Sequence, residues 1–169
     1  MRIITPREQQ KDLFSRRWRQ VAGATAKEHQ VQIQLVSMLK WCLKPTVTFF
    51  HVPNGELRDK RSAAKLKAMG VLPGVSDLVF LWKQYWEDLE GSHTAPAILF
   101  LELKLPGKAA TDEQVAFGLA VRLCGAEFAV ARSIEAAIKE LGRRGLIRPD
   151  VTVCGIRWDG PTGSTGPMG

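Results

Sequence analysis

Residues 97–105 read AILFLELKL, an unbroken apolar run that turns acidic and then basic at its end. A continuous run of this length fits a β-strand covered on both faces by helices, and not the alternating pattern of a sheet with one wet face. The rest of the chain has segments to do the covering. Residues 27–43 set Val31, Leu35, Met38, Leu39 and Cys42 on one helical face, with Pro45 just beyond. Residues 111–124 read as a second helix ending at Gly125, and residues 133–141 as a third, capped by Ser133 and ended by Gly142.

Further strands are expected at residues 46–52 (TVTFFHV), closed by Pro53-Asn54-Gly55, at 76–82 (SDLVFLW), entered through Pro73-Gly74, and at 127–132 (EFAVAR). Residues 58–69 give a short basic helix stopped by Gly70. Residues 83–96 read as a polar hairpin loop or excursion linking the strands at 76–82 and 97–105, and residues 151–158 as an edge strand or arm. The order is helix, three strands, helix, strand, helix, which makes the fold class α/β with a mixed central sheet.

At 169 residues with 45% apolar content, the chain is long enough for one domain with a core that needs no staples. The apolar run at 97–101 is far short of the ~20 residues that span a bilayer, so no membrane association is expected. Residues 1–20 mix acids, bases and Gln, unlike a secretory signal. Cys42, Cys124 and Cys154 are odd in number, widely spaced and without a CxxC pair, which argues against disulfides and zinc and for a reducing compartment. The net charge of +7 points to a polyanionic partner or is simply surface charge. Residues 1–24 form a basic arm, able to follow a phosphate backbone or to remain solvated. Residues 25–158 form the domain, and residues 159–169 a Gly/Pro tail that cannot pack.

The chemistry concentrates at the end of the apolar strand. Glu102 and Lys104 are two apart and share a face, while Leu101 and Leu103 face the other way. If the preceding strand pairs antiparallel with Asp77 opposite Glu102, then Trp82 falls opposite Ala97 and the two carboxylates converge beside Lys104. Adjacent carboxylates repel, and a hard divalent cation such as Mg²⁺ relieves that conflict by binding their oxygens. Such an ion also polarises a phosphoryl oxygen and acidifies a bound water. The plainer reading of Glu102-x-Lys104 is a strand-end ion pair.

His51-Val-Pro-Asn54-Gly55, the stretch from Gly70 through Pro73-Gly74 to Asp77, Phe100-Leu-Glu102-Leu-Lys104, and Gln114 together resemble the VRR-NUC domain. That domain is a branch of the PD-(D/E)XK nuclease superfamily, and the resemblance covers roughly residues 25–141. It implies a restriction-endonuclease-like core and a metal-dependent phosphodiesterase. Asp77, Glu102 and the Leu103 carbonyl would hold Mg²⁺ or Mn²⁺, Lys104 would be the catalytic lysine, and Gln114 would position it or the water. It further implies action on branched DNA such as Holliday junctions or flaps, a homodimer, and a cytoplasmic setting in a bacterium or phage. Ser76 departs from the family, where many relatives have Pro before the Asp.

Glu28 shares the apolar face of the first helix, where the resemblance implies a residue that completes the metal site; alternatively it caps the helix as Thr25-x-x-Glu28. Gln114 has the same double reading through Thr111-x-x-Gln114. Asn54 and Arg58 follow the first strand within reach of a phosphate, although Asn54 also suits a turn. Lys60, Arg61, Lys65 and Lys67 make the inserted helix a DNA-contacting surface or a solvated face. His51 is a base or a structural strand-end residue. The competing class of function is a DNA-junction-binding module with little or no cleavage of its own.

Overall fold

The structure, a computed structural model, describes residues 28–53, 65–66 and 68–158. The expectations for residues 1–24 and 159–169, and for Asn54, Arg58, Lys60 and Arg61, lie outside the described residues.

Helix α1 (Glu28–Cys42) buries Leu35, Met38, Leu39 and Cys42, the face expected from their spacing. Strands β1 (Thr48–His51), β2 (Leu78–Asp88), β3 (Gly91–Leu103) and β4 (Glu127–Ala131) form one sheet in the order β1-β2-β3-β4. The first two pairings are antiparallel and β3-β4 is parallel. Helix α2 (Asp112–Leu123) makes the crossover that a parallel pair requires. Helix α3 (Ile134–Arg143) follows β4, and a two-stranded ribbon, β5 (Thr152–Val153) with β6 (Ile156–Arg157), ends the described chain. The fold is α/β with a mixed sheet, as the sequence implies.

The alternation of strand side chains divides the core in two. Leu78, Phe80, Leu99, Leu101, Leu103 and Ala131 pack with Leu35 and Leu39 of α1 and with Ile134, Ile138 and Leu141 of α3. The opposite face carries Phe100 and Phe128 under α2, where the Phe117 ring meets Phe100 edge-on at 5.1 Å. A Cβ on Gly118 would stand 2.8 Å from the Phe128 ring, so the glycine lets α2 lie close on the sheet. Helices thus cover β3 from both sides, the demand that its apolar run made at the outset.

Four local expectations are corrected. Residues 83–96 are not a loop: β2 and β3 continue through them as one hairpin to the pair Asp88–Gly91. The turn at Leu89-Glu90 lacks an Asn-Gly signal. It is held by the Asp88 carboxylate, which accepts from the Glu90 amide at 2.9 Å, and by Gly91 at φ 128°. Strand β2 begins at Leu78, one residue after Asp77, and β3 ends at Leu103, not at 105. Helix α3 runs through Gly142, and the turn that stops it has Gly145 at φ 66°, with the Leu146 amide bonded to the Leu141 carbonyl at 3.0 Å. Gly142 serves packing instead, since a Cβ there would lie 2.0 Å from the Trp158 ring. Residues 151–158, read as an edge strand or arm, hold the separate ribbon, turned at Cys154 (φ 52°) and Gly155 (φ 76°).

Burial pushes the Cys42 thiol up to about 12 and the Cys154 thiol up to about 11, whereas Cys124 is exposed. On the folded protein at neutral pH, a thiol reagent should label Cys124 fast and reach Cys42 only on unfolding. Unfolded thiols ionise from their ordinary value of 9.0 while the folded ones stay protonated. Stability should therefore fall as pH rises above 9.0, up to about 12. Rapid labelling of Cys42 in native protein, mapped by mass spectrometry, would contradict this packing.

Candidate active site

The register of β2 on β3 pairs Leu78 with Leu101 and Trp82 with Ala97. One step further along the same register sets Asp77 opposite Glu102, on the face that α2 covers. Directly opposed side chains of an antiparallel pair stand about 5 Å apart at Cα, so the two carboxylates rise from neighbouring positions. Asp77 is tied there by its own side chain, whose Oδ2 accepts from the Leu103 amide at 2.8 Å. Its backbone is tied as well, because the Val52 amide donates to the Asp77 carbonyl at 3.0 Å.

Glu102 is 2% exposed. A carboxylate so buried needs charged or hydrogen-bonding company. Lys104 Nζ lies 2.8 Å from Glu102 Oε1, and the Gln114 amide Nε2 donates to the same oxygen. Lys104 lies just past β3, yet its backbone amide still bonds the Ala131 carbonyl of β4 at 2.9 Å, which fixes where its side chain starts. Two carboxylates and one ammonium formally leave one negative charge on this face.

Gln114 caps its helix and also reaches the candidate site, at Glu102. Its Oε1 accepts from the Thr111 amide at 2.9 Å and its own amide donates to Thr111 Oγ1 at 3.3 Å, which completes a capping box. The other end of the same side-chain amide reaches Glu102. The cap therefore aims the residue: the helix start and the carboxylate share one side chain.

Gly74 is the site residue whose importance sequence reasoning understated. At φ 80° it lies so close to the start of α2 that a Cβ would be 2.5 Å from the Glu113 carbonyl carbon and oxygen. The Pro73-Gly74 signal marked a turn; that the turn abuts the helix carrying Gln114 had no signal in one dimension. Gln32, one helical turn after Glu28, was also missed. Its Nε2 lies 2.6 Å from His51 Nδ1, which is 2.7 Å from the Asp77 carbonyl. Of the two roles read for His51, a base or a structural strand-end residue, these contacts fit the structural one.

The side chain of Glu28, the first residue of α1, lies outside the described residues. Lys65 is exposed, and its carbonyl accepts from the Met69 amide where the inserted segment ends at Gly70. Among the described residues, no three His, Cys, Asp or Glu side chains cluster to hold a metal by themselves. The donor set that is present comprises the Asp77 and Glu102 carboxylates. These are hard oxygens of the kind Mg²⁺ takes in ones and twos, with water and phosphate filling the remaining positions. The residues fit such an ion.

Compared with solved structures, this architecture matches a chain described as a VRR_NUC domain protein. The TM-score is 0.50 at 22% identity, covering 70% of this chain and 88% of that one. The likeness establishes a VRR-NUC type of fold on an α/β core, in agreement with the resemblance of the motifs. No family model and no curated protein matches the sequence.

Gly70 and Gly74 separate backbone strain from close packing, because their φ values are +87° and +80° and, of the two, only Gly74 meets neighbouring backbone. Alanine at either position incurs the left-handed penalty of about 1–2 kcal/mol. Gly74→Ala should lose a further ~1–3 kcal/mol by pushing α2 away. Thermal melts should place it several degrees below Gly70→Ala, and equal melting temperatures would show that the turn does not brace the helix.

Proposed function

We propose that this chain is a Mg²⁺- or Mn²⁺-dependent, structure-selective DNA endonuclease acting on branched DNA such as Holliday junctions or flaps. The observation that carries this reading is the convergence of Asp77, Glu102, Lys104 and Gln114 at one end of the sheet. Isolated ion pairs at strand ends are common; a second carboxylate on the opposed strand, tied down through the Leu103 amide, is not explained by ion pairing.

Asp77, Glu102 and the Leu103 carbonyl would hold the ion, with Glu28 as a further ligand. When bound, a divalent cation supplies a Lewis-acid contact to a phosphoryl oxygen and a more acidic water. The chain's own groups do the positioning. Lys104 Nζ donates to Glu102 and to an incoming phosphoryl oxygen, offsetting the charge that builds on it. Gln114 keeps Glu102 turned toward Lys104 and ties that orientation to the start of α2. Ser76, beside Asp77, is fully buried and is not offered as a nucleophile, in keeping with attack by water and no covalent enzyme intermediate.

Contact with DNA would draw on Asn54, Arg58, Lys60, Arg61 and Lys65, and on the basic arm. Residues 1–27 carry seven Lys and Arg against two Asp and Glu, while the described residues carry 13 against 12. The polyanion-facing charge is thus concentrated outside the described body. Non-specific affinity should accordingly be salt-dependent. A homodimer and a cytoplasmic setting in a bacterium or phage belong to the same proposal. None of the described helices is long and apolar enough to cross a membrane.

Lys104→Ala should abolish cleavage of a four-way junction in Mg²⁺ or Mn²⁺ while leaving gel-shift binding within a few-fold of the parent. In a thermal-shift titration, Mn²⁺ at 100-fold its dissociation constant should stabilise the protein by ~2.7 kcal/mol, and Asp77→Asn should remove that response. A protein that melts higher with DNA alone and never cuts would favour the junction-binding module.

A further inference from the structure

We infer that Arg132 is a phosphate-binding residue at the edge of the candidate site, holding the DNA backbone beside the phosphate that Lys104 meets. The inference rests on the proposed nuclease reading and adds the residue that fixes where the strand lies.

Strand β4 pairs parallel with β3, with Glu102 beside Val130 and Leu103 beside Ala131. One step further along this register sets Arg132 beside Lys104. The Lys104 amide bonded to the Ala131 carbonyl at 2.9 Å is the ladder bond that such a pair makes. Ala131 is buried in the core face, so the next residue, Arg132, falls on the face of Glu102 and Lys104. Neighbouring strands lie ~4.8 Å apart. Across the strand ends the order is therefore Asp77 just before β2, Glu102 and Lys104 on β3, and Arg132 just after β4.

Among the described residues, nothing holds a cation at this position. Arg132 is exposed, and no described carboxylate pairs with it. Glu135, the next acid along the chain, is taken by Lys139 at 2.7 Å. Arg143, Arg144 and Arg148, by contrast, each hold a carboxylate at 2.6–2.7 Å. Arg132 also stands immediately before Ser133, the N-cap of α3. The positive end of a helix dipole disfavours a cation, and so does an ammonium group on the adjacent strand. A residue that breaks the local electrostatic rules without compensation inside the fold marks a functional position. An anion arriving from outside supplies the compensation.

The chemistry of the group says which anion. A guanidinium presents a planar fork that matches two oxygens of one phosphate, whereas an ammonium is a point charge. Lys104 is drawn to Glu102 at 2.8 Å, so it stays with the carboxylates while Arg132 reaches outward. Asp77, Glu102, Lys104 and Arg132 sum formally to zero, so this face does not repel a phosphodiester as its acids alone would. Phosphate contacts fix the register of a nucleic-acid strand without reading its sequence. Arg132 thus sets which bond lies over Asp77 and Glu102.

Fluorescence anisotropy of the full chain on a labelled four-way DNA junction, in EDTA so that no strand is cut, tests the contact apart from activity. Arg132→Ala should weaken binding ~10-fold and reduce the slope of log affinity against log salt by about 1, as loss of one phosphate contact requires. Lys83→Ala removes the same charge from an exposed position on β2, roughly 20 Å along the strand from Asp77, and should leave the slope nearly unchanged. Arg132→Lys should restore part of the affinity, because the charge returns without the fork. With Mg²⁺ present, Arg132→Ala should raise KM, keep kcat within a few-fold, and let cuts spread to neighbouring bonds. Its melting temperature should not fall below the parent's, since the substitution removes a cation from beside Lys104 and the start of α3. An Arg132→Ala slope equal to that of Lys83→Ala overturns the inference, and so does a lower melting temperature with unchanged binding. A chain that cuts junctions equally well with Arg132→Ala refutes this contact and leaves the nuclease reading standing. A chain that loses the slope in Arg132→Ala but never cuts does the reverse, and one that binds no junction overturns both.

Discussion

Leu78 faces Leu101 across β2 and β3, and that single register carries the whole site with it. The side-chain period of a strand is two, so a slip of one residue would exchange the core face for the α2 face along the entire strand. Asp77 would no longer share a face with Glu102, and Leu78 and Phe80 would leave the core. The burial of Phe80, Leu99 and Leu101 on one side thus enforces the meeting of the acidic groups on the other. The same hydrophobic pattern that folds the sheet also assembles its chemistry.

Around that register the candidate site is built from parts that each do two things. Lys104 is held by the sheet through its backbone and neutralises Glu102 through its side chain. Gln114 caps a helix with one end of its amide and restrains a buried carboxylate with the other. Asp77 accepts from the Leu103 amide while its carbonyl takes the Val52 amide and lies beside His51. Buried polar groups of this kind stabilise a single arrangement only when all their partners are in place. Close approach by Gly74 at the start of α2 brings the last of those partners within reach.

The distribution of charge sets a second division of labour. Described residues are almost neutral and carry their ion pairs locally, as in Arg144 with Glu127 and Glu140, or Arg148 with Asp150. The excess positive charge lies mostly in residues 1–27.

Much of this was legible in one dimension. Periodicity placed α1, the strands and α2, because burial on a helix or a strand leaves a repeating mark on the sequence. The opposition of Asp77 to Glu102 followed from pairing two apolar runs, and the choice of face followed from the strand period. What the chain alone could not decide were contacts between segments distant in sequence, which leave no local trace. That Gly142 continues α3 and packs on Trp158 involves a ring arriving from the far end of the described chain. The extension of the hairpin through residues 83–96 depends on cross-strand pairing, which polar residues support as well as apolar ones once the register is set. Gln114 posed an either-or question in the sequence, and only the approach of α2 to β3 lets the residue that caps the helix also touch Glu102.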